Sequence, residues 1–327
     1  MYRISGKKIL VTGGAGFIGS NLADRLLSEG AFVRVLDNFS TGKRENLVSA
    51  QKSANFELIE GDIRDRAVCD LAVKGVDIVL HQAALGSVPR SIKDPATTIG
   101  VNVFGFTNIL HAAVENGVKR FVFASSSSVY GDEKTLPKVE DKTGVALSPY
   151  AISKQSNETI ALNFASIYGI EVIGLRYFNV FGPRQDPDGA YAAVIPKFIA
   201  SLLDRRSPVI NGDGSFSRDF TYVDNAVEAN ILAASAESAA CSQMYNIACG
   251  SELDLNGLFA ELQKQLALND PAILDVSPEY GEKRPGDIPH SLADISKAGK
   301  FLGYQVKVPV SEGLKRTCIW YSRKEPV

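Results

Sequence analysis

The chain has 327 residues, a formal net charge of −2 and 45% hydrophobic residues. Its length predicts two domains rather than one compact core. The near-neutral charge excludes an overall basic surface for nucleic acid or for an anionic membrane.

The numbers and spacing of cysteine and histidine limit the kinds of metal or redox site that the chain can form. The four cysteines, Cys69, Cys241, Cys249 and Cys318, lack metal-ligand and redox-motif spacing, and only three histidines are present. We therefore expect no metal site. Scattered single cysteines, no signal-peptide pattern and no run of about 20 apolar residues together predict a soluble cytoplasmic protein.

The first half of the chain alternates between predicted strands and predicted helices. Short apolar runs predict strands at residues 9–11, 32–36, 56–59, 77–80 and 120–124. Helices are predicted at residues 17–29 and 95–116. Strands separated by helices need crossover connections, so the pattern predicts an α/β fold with a parallel sheet covered on both faces.

The pattern changes after about Tyr177, where prolines and glycines interrupt it. Helices are still predicted at residues 224–236, 255–266 and 310–321. We expect a smaller, mixed second domain whose loops face the carboxyl edge of the sheet. The predicted division is 1–180 and 181–327, with an interleaved boundary.

A glycine-rich turn joins the first predicted strand to the first predicted helix. Gly13, Gly16 and Gly19 have the spacing GxxGxxG, which permits a tight turn and brings backbone N–H groups close to a pyrophosphate at a helix N-terminus. Asp37 ends the second predicted strand, where a carboxylate accepts hydrogen bonds from ribose hydroxyls and repels a 2′-phosphate. These features predict NAD rather than NADP as the cofactor.

Two further segments are candidates for the same site. Asp62 follows the third predicted strand and either meets the adenine or caps the next helix, with equal weight for the two readings. The run Gln82-Ala83-Ala84 follows the fourth predicted strand with side chains small enough for a cofactor to lie against the backbone.

Tyr150 and Lys154 form a Tyr-x-x-x-Lys pair. Residues four apart lie on one face of a helix, and a neighbouring ammonium is expected to lower the pKa of the phenol, so that Tyr150 acts as a base. The pair follows a serine run from Ser125 to Ser128. One of these serines is expected to hydrogen-bond the substrate oxygen that loses its proton, while others only cap a turn.

Taken together, the motifs resemble the extended short-chain dehydrogenase/reductase family over essentially the whole chain. They comprise the turn Thr12 to Gly19, the serine run with Val129-Tyr130-Gly131, the Tyr150/Lys154 pair and the segment Arg176 to Pro183. The resemblance implies a Rossmann-type doubly wound NAD domain and a C-terminal domain that binds a nucleotide sugar. It also implies UDP- or dTDP-sugar chemistry at C4 of the sugar.

The resemblance also implies a set of site residues. The catalytic ones are Ser126, Tyr150 and Lys154. The cofactor residues are Gly13, Gly16, Phe17, Ile18, Gly19, Asp37, Asn38, Ser40, Thr41, Gly42, Asp62, Ile63, Gln82, Ala83, Ala84, Asn102, Ser125, Tyr150, Lys154 and Tyr177. The substrate residues are Ser87, Ser126, Ser127, Ser128, Tyr150, Asn179, Ala193, Val194, Lys197, Val209, Asn211, Arg218, Arg284, Asp287 and Ser291.

The reaction class follows from residues that the chain lacks. The family's 4,6-dehydratases have an Asp-Glu pair just after the catalytic Ser or Thr, whereas this chain has Ser127 and Ser128. The resemblance therefore implies NAD-dependent C4 epimerisation through a 4-keto sugar, with UDP-N-acetylglucosamine converted to UDP-N-acetylgalactosamine for polysaccharide biosynthesis. In related epimerases a small residue at the position of Ser291 leaves room for an N-acetyl group.

Alternatives remain open. UDP-glucose and UDP-glucuronic acid are the alternative substrates. The alternative class of protein is a non-catalytic NAD-binding scaffold, which is disfavoured because Tyr150 and Lys154 are both present.

The resemblance implies a homodimer formed by the helices at 95–116 and 150–168, which carry apolar residues such as Val103, Ile109 and Leu110. The alternative is that this apolar face packs on the sheet.

Overall fold

The computed structural model describes residues 4–188, 192–282 and 288–323. Its centre is a seven-stranded parallel sheet with the strand order β3-β2-β1-β4-β5-β6-β11. The strands of this sheet are β1 (Lys8–Thr12), β2 (Phe32–Asp37), β3 (Phe56–Glu60), β4 (Ile78–His81), β5 (Arg120–Ser126), β6 (Glu171–Tyr177) and β11 (Gln243–Ile247). The predicted Rossmann-type sheet is confirmed.

Helices cover both faces of the sheet, which explains why its strands are continuous apolar runs. One face packs against α1 (Phe17–Ser28) and α8 (Val223–Ser235). The other packs against α2 (Arg66–Val73), α5 (Phe106–Glu115) and α6 (Pro149–Tyr168). Along β1, Ile9 and Val11 enter the first core while Leu10 enters the second, as the alternation of side chains along a strand requires.

The long helix predicted at residues 95–116 is interrupted by a wider turn. After α3 (Val88–Lys93), α4 (Pro95–Ile99) continues through a π-helical turn (Gly100–Gly105) into α5. Asn102 lies in that turn, where its side chain accepts from the Leu85 N–H at 2.7 Å and donates to the Leu85 carbonyl at 3.1 Å. These bonds to the loop after β4 hold the helix in its widened form.

The second half contributes short strands and four further helices with described bounds. The strands are β7 (Val180–Phe181), β8 (Val209–Asn211), β9 (Ser217–Arg218), β10 (Thr221–Tyr222), β12 (Leu253–Asp254), β13 (Glu279–Gly281) and β14 (His290–Ser291). The helices are α7 (Val194–Leu203), α9 (Leu255–Ala267), α10 (Ser296–Leu302) and α11 (Val310–Ser322). The division at residue 180 stays a prediction; β11 and α8, although late in the chain, pack with the first half.

The strand order places the candidate site. β1 lies between β2 and β4, so the chain winds outwards in opposite directions from this point. Such a switch point opens a crevice at the carboxyl ends of the strands, where ligands bind in doubly wound folds. Across the described ranges, no helix is both long and apolar enough to cross a membrane.

Candidate active site

A cavity of about 410 Å³ lies at the switch point and is called the first cavity. Most of the predicted cofactor residues line it. They are Gly13, Gly16, Phe17, Ile18, Gly19, Asp37, Asn38, Ser40, Thr41, Asp62, Ile63, Gln82, Ala83, Ala84, Ser125, Tyr150, Lys154 and Tyr177. Residues scattered over the first half of the chain therefore converge on one cleft.

The glycine turn leaves no space for side chains. Gly13 has a φ of +66°, and a Cβ at this position would lie 2.7 Å from the Ala83 Cα. A Cβ at Gly19 would collide with the Gly13 carbonyl oxygen. Gly16 is the N-cap of α1, with extended backbone and no capping side chain. The first turn of α1 therefore presents bare backbone N–H groups beside the first cavity, as a pyrophosphate requires.

Acidic and amide side chains line the far end of the first cavity. The two Asp37 carboxylate oxygens accept from the Ala15 N–H at 2.9 Å and the Phe39 N–H at 2.8 Å, while burial raises the pKa of Asp37. Asn38 Nδ2 donates to Asp62 at 2.8 Å. The capping alternative for Asp62 is wrong, because Asp65 caps α2.

Asp62 is instead held by Arg64. Its carboxylate accepts from the Arg64 guanidinium at 2.7 and 3.0 Å, which lowers the Asp62 pKa to about 2. An ionised carboxylate is therefore oriented at the carboxyl end of β3, on the wall of the first cavity.

The predicted catalytic residues meet at the opposite end of the first cavity. Ser148 caps α6 and accepts from the Ala151 N–H at 3.1 Å, which fixes where the helix begins. Tyr150 and Lys154 then lie on one face, with Lys154 Nζ 5.9 Å from the centroid of the Tyr150 ring. Ser126 comes from the end of β5, and its side chain lowers the pKa of the Tyr150 phenol.

The expected lowering of the Tyr150 pKa is wrong for this arrangement. Burial raises the pKa of the phenol, and the hydrogen bond with Ser126 offsets this only in part. Lys154 Nζ donates to the Ala124 carbonyl at 2.8 Å. Burial lowers the pKa of Lys154 itself to about 8, against the opposing charge of Glu158. The ammonium is therefore buried, whereas the half-buried phenol faces the first cavity.

The four serines have different surroundings. Ser125 Oγ donates to Glu158 at 2.5 Å, and Ser126 Oγ accepts from the Ser128 N–H at 3.1 Å. Ser126 thus caps the short 3₁₀ turn Ser127–Tyr130, as expected for part of the run. Ser128 Oγ is buried and has no hydrogen-bond partner among the described residues, so it is a candidate group for a bound ligand.

Two further cavities adjoin the first. The second, of about 520 Å³, contains Val194, Lys197, Val209, Asn211 and Arg218 from the predicted substrate set. The third, of about 660 Å³, contains Ser127, Ser128, Arg218 and Ser291.

Asn179 lines all three cavities. It has a φ of +36°, and its Nδ2 donates to the Asp219 carbonyl at 3.1 Å. Asn179 therefore marks the point at which the cavities meet.

Some predicted residues lie beside these three cavities rather than in them. Gly42 packs against Ala15 and Asp37, and Asn102 holds the loop after β4. Ser87, with a φ of +102°, caps α3 with its side chain, whereas Ala193 occupies the N-cap position of α7 without a capping side chain. Arg284 and Asp287 lie outside the described residues.

The structure also adds residues that the sequence analysis did not single out. Gly61, Gly86 and Val101 line the first cavity, and Lys138 and His290 line the third. The run of small residues after β4 was a signal for Gly86. Lys138 and His290 lie outside the motifs, so spacing gave no signal for them. In the described part of the chain, no cluster of three or more His, Cys, Asp or Glu residues is arranged to hold a metal ion.

Comparison with known families agrees with this geometry. A model described as the NAD dependent epimerase/dehydratase family matches residues 9–248. The chain belongs to this family. The match includes the glycine turn, Asp37, the serine run and the Tyr150/Lys154 pair, so the expected family and NAD as its cofactor are confirmed.

Three relatives of this epimerase/dehydratase chain cover nearly its whole length. A UDP-glucose 4-epimerase of Mycolicibacterium smegmatis is 37% identical over 97% of this chain and 99% of its own. The UDP-N-acetylglucosamine 4-epimerase of Methanobrevibacter ruminantium, solved with UDP-N-acetylmuramic acid, is 39% identical, covers 97% and 99%, and has a TM-score of 0.91. The UDP-glucuronic acid 4-epimerase of Bacillus cereus, solved with UDP-glucuronic acid and NAD, is 31% identical, covers 97% and 99%, and has a TM-score of 0.87.

Proposed function

We propose that this chain is a UDP-N-acetylglucosamine 4-epimerase that retains NAD through its catalytic cycle. The observation that carries the substrate choice is the third cavity, which has a volume of about 660 Å³ and is lined in part by the small side chains of Ser127, Ser128 and Ser291, beside the catalytic helix α6. An N-acetyl group needs such space, and the unpartnered Ser128 hydroxyl is suited to its amide. The similarity to the M. ruminantium enzyme supports the same choice.

The catalytic roles follow from the arrangement of three side chains. Tyr150, as the phenolate, takes the proton from the sugar O4, and Ser126, which lowers the pKa of the phenol, hydrogen-bonds that oxygen. Lys154 stabilises the phenolate form of Tyr150 that accepts this proton, since a buried ammonium nearby offsets its negative charge. The glycine turn and Asp37 would hold NAD, which would supply a reversible hydride acceptor for C4 of the sugar.

Epimerisation requires that the sugar turns over while its nucleotide stays bound. Lys197 and Arg218 provide positive charge in the second cavity, which suits a diphosphate. Asn179 joins this cavity to the other two, so the nucleotide has a fixed anchor beside the catalytic helix. We also propose Arg284 and Asp287 as nucleotide ligands.

A second candidate substrate is UDP-glucuronic acid. Lys138 is buried at 4% exposure and lines the third cavity, so the cavity proposed for the sugar contains an ammonium that could pair with a carboxylate. Its Nζ, however, donates to the Glu133 carbonyl, which reduces its capacity to bind a substrate. The B. cereus relative acts on this sugar.

The test is direct. Purified protein is incubated with UDP-N-acetylglucosamine without added cofactor, and the products are followed by NMR. The proposal predicts UDP-N-acetylgalactosamine. If only UDP-glucuronic acid or only UDP-glucose is converted, that sugar is the substrate and the proposed choice is wrong. If none of the three is converted, even with NAD supplied, the result favours a non-catalytic scaffold.

We also propose a homodimer formed by α4, α5 and α6. Ile109 and Leu110 are buried against the sheet, so those two residues are not available to a partner. Other apolar side chains here are exposed: Ile99 on α4 at 36%, Phe104 in the adjoining π-helical turn at 56% and Ile152 on α6 at 49%. Light scattering should give twice the 35.2 kDa mass of one chain; the mass of a single chain at micromolar concentration would contradict the proposal.

A further inference from the structure

A buried carboxylate lies directly behind the catalytic pair. Tyr150, Lys154 and Glu158 follow one another at intervals of four residues and so share one face of α6. Glu158 Oε1 accepts from Ser125 Oγ at 2.5 Å and from Arg176 Nε at 2.9 Å, and its Oε2 accepts from an Arg176 terminal nitrogen at 2.8 Å. Glu158 is 8% exposed and Arg176 is 4% exposed.

These contacts join the catalytic helix to the sheet at one place. Ser125 and Arg176 are register partners on β5 and β6, and Ser125 lies between Ala124, which accepts from Lys154 Nζ, and Ser126. Glu158 therefore ties α6 to the strand end that carries the Ser126 hydroxyl. A shift of Glu158 would change the distance between Ser126 and Tyr150.

Titratable side chains from three elements, α6, β4 and β6, surround Lys154. On α6 it faces Tyr150 and Glu158, and β4 contributes His81, whose pKa burial lowers to about 3, so that this ring is neutral at neutral pH. On β6 lies Arg176, a second buried cation.

Behind Arg176 lie two further titratable groups. Arg176 donates to the Tyr130 hydroxyl at 3.1 Å and to the Glu140 backbone carbonyl at 2.9 Å. Burial raises the pKa values of both the Tyr130 phenol and the Glu140 carboxyl. Glu158 is thus the carboxylate held between the two cations Lys154 and Arg176.

We propose that Glu158 is a positioning residue of the active site: its carboxylate keeps Lys154 in the ammonium form and holds the Ser126 strand end in place against Tyr150. The inference rests on the proposed roles of Tyr150 and Lys154, and adds the group through which the fold maintains that pair. Arg176 in turn orients Glu158 through its two hydrogen bonds and partly neutralises the negative charge of the Glu158 carboxylate.

The chain supplies a matched control at the other end of the same two strands. Arg120 on β5 and Glu171 on β6 are register partners, and Arg120 donates twice to one Glu171 oxygen, at 3.1 and 2.6 Å. Arg120 is 6% exposed. Glu171→Gln therefore removes the same charge from a similar Arg–Glu pair, away from the catalytic helix.

The first measurement is the pH dependence of kcat for wild type, Glu158→Gln and Glu171→Gln. Loss of the Glu158 charge should move the high-pH decline of kcat downward by about one pH unit or more. Glu171→Gln should leave the decline where it is. Arg176→Met removes the cation that competes with Lys154 for Glu158, so it should move the decline in the opposite direction.

The second measurement needs no turnover. Lys154 has a pKa of about 8 when folded against 10.5 as its ordinary value, so the unfolded chain binds more protons between these values and stability rises with pH across that window. Because Glu158 raises the pKa of folded Lys154, that pKa is lower in Glu158→Gln, and the pH range over which stability rises begins at a lower pH. The stability deficit of this variant should therefore shrink as pH rises through about 8, by about tenfold in the unfolding constant for each unit between the two folded pKa values. The Glu171→Gln deficit should not depend on pH in this range.

The outcomes separate the two proposals. Parallel kcat profiles and pH-independent deficits for Glu158→Gln and Glu171→Gln would show a merely structural role and overturn the inference. If the wild type epimerises no UDP-sugar, the proposed function fails, while the stability measurement still decides the role of Glu158. If Glu158→Gln does not fold, the inference would be overturned by an Arg176→Met variant whose kcat declines at the same high pH as that of the wild type.

Discussion

Replacing Gly13 by alanine should weaken NAD binding much more than it weakens the fold, and a second glycine of the chain provides the control. Gly13 and Gly75 have nearly the same backbone conformation, with φ of +66° and +69°. A Cβ at Gly75 would meet nothing within 4 Å, whereas a Cβ at Gly13 would lie 2.7 Å from the Cα and N of Ala83. The two substitutions therefore share the backbone strain and differ in the collision.

The magnitudes follow from this difference. A left-handed conformation costs an alanine about 1–2 kcal/mol relative to glycine, so Gly75→Ala should lose roughly that much stability. Nonbonded carbon atoms prefer a separation of about 3.5 Å or more, so Gly13→Ala must displace Ala83 or the glycine turn by roughly 0.8 Å. Overpacking of this kind adds about 1–3 kcal/mol. Because Gly13 and Ala83 both line the first cavity, NAD affinity should fall by at least about tenfold, or 1.4 kcal/mol.

The assay compares the NAD content of the purified proteins and the Kd for NAD after the cofactor has been removed, with thermal unfolding measured alongside. Gly75→Ala should retain NAD as the wild type does. Unchanged NAD affinity in Gly13→Ala would refute the assignment of this turn to the cofactor. An equal loss in both variants would show that strain, and not the collision with Ala83, is responsible.

Three other predictions concern catalysis. Tyr150→Phe should lower kcat by about 100-fold or more, because it removes the proposed base, while the NAD content stays unchanged; near-normal turnover would exclude Tyr150 as the base. Ser291→Tyr should reduce kcat/KM for UDP-N-acetylglucosamine far more than for UDP-glucose, because the phenol ring fills the third cavity, and equal losses would argue against this cavity as the N-acetyl site. Activity should decline as the pH rises through about 8, where the buried Lys154 loses its proton; a rate that stays constant to well above that pH would contradict the requirement for the ammonium.

Much of the first half of the fold was predictable from sequence. Buried parallel strands are continuous apolar runs, and the five predicted ones lie in the sheet within two residues of their predicted bounds. β6 and β11 were not predicted. β6 contains Gly174 and the buried Arg176, which interrupt an apolar run, and β11 follows the helical region of the second half, where no alternation indicated a further parallel strand.

The candidate site was predictable where motif and topology coincide. The glycine turn, Asp37 and the Tyr150/Lys154 pair converge because each follows or borders a strand end at one edge of the sheet. The π-helical turn at Asn102 was not predictable, since it depends on hydrogen bonds to Leu85 in a distant loop. The raised Tyr150 pKa has the same kind of cause, because burial by the surrounding fold outweighs a favourable neighbour in sequence.

The most direct test of C4 hydride transfer uses UDP-N-acetylglucosamine that carries deuterium at C4, with the purified protein in ordinary water and no added cofactor. We expect UDP-N-acetylgalactosamine with the deuterium still at C4, because the hydride leaves and returns within one closed site. Product that has lost the deuterium to solvent would contradict it, since inversion would then proceed by exchange of a C4 proton and not by transfer to and from NAD.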